Sequence, residues 1–180
     1  MEERNFMETK PLVPLLMSMA MPMMLSMLVQ SLYNIIDSIY VSRLGTEALT
    51  AVSLAFPLQN IVLAVAVGVG VGISALLARS LGQKDQEQAN AAASWGVLLS
   101  VIHCILFVGV GILVTKPFLS LFTENASILR QACDYTYIVM CLSFGCLMQI
   151  AMEKIYQGLG AMKTTMILLG TGCIINIILD

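Results

Sequence analysis

Residues 48–78 read ALTAVSLAFPLQNIVLAVAVGVGVGISALLA, 31 consecutive positions without a charge, followed at once by Arg79. A membrane-spanning helix needs about 20 predominantly apolar residues, so this run is long enough to cross a bilayer. It is not alone in the chain. Pro11–Ile36 holds 26 uncharged residues and Ala89–Thr115 holds 27. Tyr135–Met152, with 18, reaches the required length once its interfacial ends are added, and Thr164–Leu179, with 16, is cut off by the last residue. In a chain of 180 residues that is 58% hydrophobic and 11% charged, these runs predict an all-α polytopic membrane protein.

The expected helices cover 12–41, 48–80, 88–114, 128–156 and 163–180. The links between them (SRLGTEAL, LGQKDQEQ, TKPFLSLFTENAS and QGLGAMK) are short, as antiparallel neighbours in one up-and-down bundle require. No soluble domain is expected. The opening MEERNFMETK mixes both charge signs and precedes an apolar run too long for a secretory signal, so the first helix is expected to be retained. With the N-terminus in the cytoplasm, the inner side receives Arg4, Lys10, Arg79, Lys84, Lys154 and Lys163, and the outer side Arg43, Lys116 and Arg130. Lys and Arg favour cytoplasmic loops, which predicts that orientation. The net charge of -2 gives no support to nucleic-acid binding. The closing IINIILD stops inside an apolar run and reads as the front portion of a longer protein.

A carboxylate at membrane depth costs about 3 kcal/mol on insertion scales and is rarely kept without a task. Asp37 lies near the end of the first apolar stretch, and Asp180 ends the last. Ser26, Gln30, Asn34 and Asp37 recur at spacings of 4, 4 and 3, which places them on one helical face beside Tyr33. Such a face is expected to point into the bundle or a watery cavity. Interhelical hydrogen bonding and function both remain open for Ser26 and Gln30. For Asp37 function is favoured, because an amide would bond as well without the charge penalty. Asn176 and Asp180 are stacked four residues apart. Measured along their helices at about 1.5 Å per residue, Asp37 and Asp180 both fall in the outer half of the membrane, where a shared site is permitted.

On helix 4, Tyr135, Gln149, Glu153 and Tyr156 lie near one face, with Glu153 read as part of a solvated helix end beside Lys154. Asp134 pairs with Arg130 at i, i+4 near the outer surface. Gly68 and Gly72 form a small-xxx-small spacing that lets two helix backbones approach. Pro22 and Pro57 stand inside helices as bending elements. His103 reads as a packed neutral histidine. The cysteines, Cys104, Cys133, Cys141, Cys146 and Cys173, form no CxxC pair and read as packing thiols without disulfide or structural metal. The 13 methionines, dense at Met17–Met27, are either membrane filler or adaptable surface for hydrophobic ligands.

Taken in order, LVQSLYNIIDSIYVSRLGTEALTAVSLAFPLQNI (28–61), GVGVGISALLARSLGQKDQEQA (68–89), YQGLGAMKTT (156–165) and NIILD (176–180) resemble the multidrug and toxic compound extrusion (MATE) transporters, in particular their bacterial DinF- and MepA-like branch. The resemblance implies twelve transmembrane helices in two six-helix lobes, of which this chain is a partial N-lobe, helices 1–5, with the C-lobe absent. It further implies a non-enzymatic, ion-coupled antiporter of the bacterial cytoplasmic membrane that exports small amphipathic cationic compounds by alternating access. Residue by residue, the family's N-lobe coupling site corresponds to Asp37, Asn176 and Asp180, with Tyr135 joining it in some members. Cavity-lining roles fall to Gln30, Tyr33, Asn34, Tyr135 and Gln149. No cofactor is expected beyond the coupling ion. H⁺ carried by a desolvated carboxyl and Na⁺ held by Asp37, Asn176 and Asp180 both fit.

Three other classes fit the sequence less well. A lipid-linked sugar flippase of the same superfamily would carry more basic residues in its cavity to meet a pyrophosphate. An intramembrane protease would need a Ser and a His in register, for which no GxSx dyad partner appears, and a prenyltransferase would need clustered aspartates, of which the sequence has no DxxxD cluster. A non-transporting membrane adaptor would leave Asp37 and Asp180 without purpose.

Overall fold

The computed structural model describes residues 11–43 and 45–179, apart from the side chains of Tyr33 and of 176–179. Among these described residues six helices follow one another: α1 Leu12–Arg43, α2 Thr46–Gly82, α3 Gln86–Leu119, α4 Ala126–Cys141, α5 Ser143–Gly158 and α6 Met162–Leu179. Strands are absent among the described residues. α1, α2 and α3 are each long and apolar enough to cross a membrane, and α4 with α5 passes the same test as one bent span.

Local chemistry sets the helix ends. After α2, the Asp85 amide donates to the Ser80 carbonyl (2.9 Å) and the Lys84 amide to Leu81 (3.1 Å), a Schellman closure with Lys84 left-handed at φ 60°. Asp85 then caps α3, its carboxylate accepting from the Gln88 amide, so three residues turn the chain around. Asn125 caps α4 in the same way, accepting from the Ser127 and Ile128 amides. A second Schellman turn ends α5, with Gly160 at φ 79° and Ala161 donating to Tyr156 (2.9 Å).

The fourth span departs from the single straight helix expected over 128–156. It breaks at Leu142 (φ -92°, ψ 6°), and the two halves meet at 47°. There the Ser143 hydroxyl donates to the Met140 carbonyl at 2.7 Å, and Gly145 follows within the first turn of α5. A Ser–Gly step of this kind is a recognised cause of kinks.

α2 is the central pillar and packs against α3, α4 and α5, whereas α1 packs mainly on α6 and only slightly on α2. The buried side of α2 runs Ala55, Leu58, Val62, Ala66, Gly70, Ile73, Leu77 and Ser80, a continuous helical stripe. One core cluster joins Val62 and Ala66 to Cys104, Phe107, Met140 and Leu147. A second joins Ala51 to Leu119, Ala132 and Cys133. Cys104 and Cys133 thus pack as small apolar residues, and all five cysteines are free thiols. Outward-facing side chains such as Ile105 and Leu113 are large, apolar and at least 70% exposed, as lipid contact requires.

The close helix approach expected at Gly68 and Gly72 occurs instead at Gly70. A β-carbon added at Gly68 or Gly72 meets nothing within 4 Å, while one at Gly70 would lie 2.6 Å from Lys154 Cγ. Gly70 falls on the buried stripe, and its neighbours two positions away face elsewhere. Gly158 mirrors it across the same α2–α5 interface, where an added β-carbon would lie 2.9 Å from the Ser74 carbonyl oxygen.

Candidate functional site

Between α1, α2 and the α4–α5 junction lies an open cavity of about 1170 Å³. α1 contributes Asn34, Asp37, Ser38 and Ser42, α2 contributes Phe56, Gln59 and Asn60, and α4 contributes Tyr135 and Ile138. Ser143 and Cys146 line it from α5, beyond the kink. An adjoining recess of about 210 Å³ is bounded by Asp37, Ser38, Ser53 and Phe56, among others. Asp37 therefore borders both spaces and is half-buried. Among the described lining residues Asp37 alone bears a formal charge, and none is Lys or Arg. The remaining polar groups are neutral amides and hydroxyls set among aliphatic and aromatic side chains.

Among the described residues a hydrogen bond joins two helices of this cavity wall. Gln59 Nε2 donates to the Tyr135 hydroxyl at 3.2 Å, joining α2 to α4 across 76 residues of sequence. At the N-terminal ends of the same two helices the Ser127 hydroxyl donates to Glu47 Oε2 at 2.8 Å.

The residues singled out in the sequence are placed unequally. Asn34, Asp37 and Tyr135 share the cavity lining. Gln30 and Gln149 are exposed and lie outside that lining; the kink at Leu142 ends the straight face that Gln149 would have shared with Tyr135. Ser26 is buried and donates to the Pro22 carbonyl at 2.9 Å, which satisfies it within its own helix. The side chains of Tyr33 and Asn176, and the whole of Asp180, lie outside the described residues.

Glu153 is not the solvated helix end expected from its place beside Lys154. The two side chains are 19% and 12% exposed. Lys154 Nζ donates to Gln157 Oε1 (3.0 Å) and, more weakly, to Glu153 Oε1 (3.4 Å), while Gln157 Nε2 donates to Glu153 Oε1 at 2.7 Å. Two further residues escaped the sequence reading. Gln59 and Asn60 are the only side-chain amides in the 48–78 run, a signal that was available. They have no polar partner at helical spacing within α2, and their relevance comes from Tyr135 on another helix.

The MatE family model matches residues 22–180. The chain belongs to the MatE family. It is 29% identical over its full length to the FAD transporter of Shewanella oneidensis and covers 40% of that protein. To the multidrug export protein MepA of Staphylococcus haemolyticus it is 23% identical over 99% of its length, again covering 40% of the relative. A solved outward-facing MATE family transporter of the MOP superfamily superimposes with a TM-score of 0.88 at 31% identity, over 92% of this chain and 37% of that one. The chain thus spans about 40% of the length of the curated relatives it matches. The MATE N-lobe fold and a multi-pass, membrane-embedded, transporter-type chain follow from the family match together with the apolar helices.

Proposed function

We propose that this chain forms one wall of the substrate pathway in an ion-coupled MATE exporter of small amphipathic cations. In this reading it sits in a bacterial cytoplasmic membrane with its N-terminus inside and works against a C-terminal lobe by alternating access. The observation that carries the reading is the cavity beside Asp37, whose described lining residues hold a single carboxylate, neutral amides and hydroxyls, and apolar side chains, with no Lys or Arg. An amphipathic cation finds there both apolar contact and a compensating charge. Coupling is assigned to Asp37 together with Asn176 and Asp180, and the ion is H⁺ or Na⁺. No enzymatic step and no cofactor enter the cycle.

A second reading is export of a flavin dinucleotide, favoured by the resemblance to the FAD transporter. A pyrophosphate or a lipid-linked phosphate calls for basic partners, which the described residues of this wall do not supply. One experiment separates the two readings. The full-length gene product, expressed in a pump-deficient bacterial host, is expected to lower accumulation of ethidium and leave extracellular flavin unchanged. Flavin accumulating in the medium with ethidium retention unchanged would select the second reading.

A further inference from the structure

A phenolic hydroxyl has one proton to donate and two lone pairs that accept. At Tyr135 the Gln59 amide N–H occupies a lone pair, at 3.2 Å. The hydroxyl proton cannot return to the same nitrogen, so it is left to donate elsewhere, and Tyr135 is itself a lining residue of the cavity. Gln59 also lines the cavity and is half-buried, rooted in α2 one residue from Leu58 of the buried stripe. The amide is therefore carried on the central pillar, and the phenol on α4, which packs against that pillar. A free tyrosine hydroxyl would accept or donate according to what approached it. One held by an amide donor is biased towards donation.

We propose that Gln59 is a positioning residue for ligand selection. By filling an acceptor site on Tyr135 it fixes that hydroxyl as a hydrogen-bond donor to the occupant of the cavity. The cavity then favours, among amphipathic cations of similar size, those whose apolar body carries an acceptor oxygen. This rests on the export reading above and adds a preference that a charged group alone does not give, because Asp37 recognises the cationic centre of every such ligand alike. The apolar contacts of Phe56 and Ile138 are indifferent to an ether or a carbonyl, and Ser38, Ser42 and Ser143 donate their protons to backbone carbonyls three or four residues back. Acceptor recognition therefore falls on the phenol together with the amides of Asn34 and Asn60, and of these the phenol is the one that Gln59 orients.

The test measures export of two fluorescent cations by the full-length protein in energised cells: rhodamine 6G, which carries ester and ring oxygens, and ethidium, which carries no oxygen. The readout is the ratio of their initial efflux rates at equal protein level in the membrane. Loss of one neutral hydrogen bond is worth about five- to tenfold in binding. Gln59→Leu is therefore expected to lower the rhodamine-to-ethidium ratio by about that factor through a raised KM for rhodamine. Gln59→Glu keeps the size but presents an acceptor that draws the phenol proton towards itself, and it should lower the ratio likewise. Tyr135→Phe should match Gln59→Leu, and combining the two should lower the ratio no further, as expected of residues acting as a unit. An unchanged ratio in Gln59→Leu and Gln59→Glu, with both dyes still exported, overturns this inference and leaves the export reading standing. An equal fall for both dyes also overturns it, since that would make the bond a plain tie between α2 and α4. Export of neither dye by the unmutated protein removes the export reading and this inference together.

Discussion

The aliphatic stem of Lys154 lies directly over Gly70, with Cγ 2.6 Å and Cβ 3.2 Å from where a β-carbon on that glycine would stand. These are stem atoms fixed close to the α5 backbone, so they cannot swing aside as a side-chain tip could. Interiors at crystalline packing density transmit such a clash into the backbone. Gly70→Ala is expected to destabilise the protein by about 1–3 kcal/mol, the usual penalty for overpacking. Gly72→Ala, which meets open space, should be neutral or slightly stabilising through helix propensity, by up to about 1 kcal/mol. Thermal unfolding of the two detergent-purified variants, side by side with the parent, checks the difference. Equal melting temperatures would show that α2 and α5 do not meet at Gly70.

Beyond that contact, Lys154 ends in the small network with Gln157 and Glu153. Removing one charge of a largely covered pair leaves the other without compensation, while removing both can be nearly neutral. Because these side chains keep 12% and 19% exposure, the penalty should fall below the fully buried case. Glu153→Leu is expected to destabilise by about 1–3 kcal/mol. The double variant Glu153→Leu/Lys154→Met should recover most of that loss, since Met keeps the β- and γ-carbons over Gly70. A double-mutant cycle on apparent unfolding free energy gives the coupling directly. Additive losses would mean that the two charges do not interact.

The all-helical, membrane-spanning character was legible in uncharged run length alone, because a bilayer leaves a chain no other way to satisfy its backbone than a helix or a closed barrel. What run length does not encode is which side of a helix meets which neighbour. Gly68 and Gly72 carry the recognisable spacing, yet Gly70 makes the contact, because the buried stripe of α2 is set by all its partners at once. The break at Leu142 was missed for a similar reason. No proline marks it, and Ser143 and Gly145 acquire their meaning only once the helix bends. Within the candidate site, Asp37 and Asn34 were found through spacing on their own helix. Gln59 was not, since its partner Tyr135 lies on another helix.

Thr115 is fully buried in α3, and its hydroxyl oxygen lacks a hydrogen-bond partner among the described residues. A buried hydroxyl left unsatisfied costs about 1–3 kcal/mol, whereas valine has nearly the same shape and no polar atom to desolvate. Thr115→Val is therefore expected to stabilise the protein by about 1 kcal/mol, and Thr115→Ala to destabilise it through the methyl-sized void. The opposite sign for the valine variant in a thermal unfolding series would mean that the hydroxyl is bonded in the membrane-embedded protein.

Asp37 gives the prediction on which the proposed function turns. Its carboxylate borders both the main cavity and the adjoining recess, where it can meet a cationic substrate and a coupling ion in turn. Either ion requires the charge at this position to be neutralised and restored within each cycle, by protonation or by Na⁺ held through hard oxygen ligands. An amide preserves the shape and the hydrogen-bonding reach but carries no charge to cycle. In the full-length protein, Asp37→Asn is therefore expected to insert as well as the parent or better, since a carboxylate within the membrane costs up to about 3 kcal/mol on insertion scales. Efflux driven by an imposed pH or Na⁺ gradient should fall at least about tenfold, the scale set by loss of an interaction with a charged group. Asp180→Asn should behave alike, with the double variant no worse than either single one if the two carboxylates act together. Proteoliposomes loaded with ethidium and given each gradient separately also identify the ion. If Asp37→Asn transports at the parental rate under both gradients but reaches the membrane in lower amount, Asp37 holds the helices together and does not couple transport to an ion.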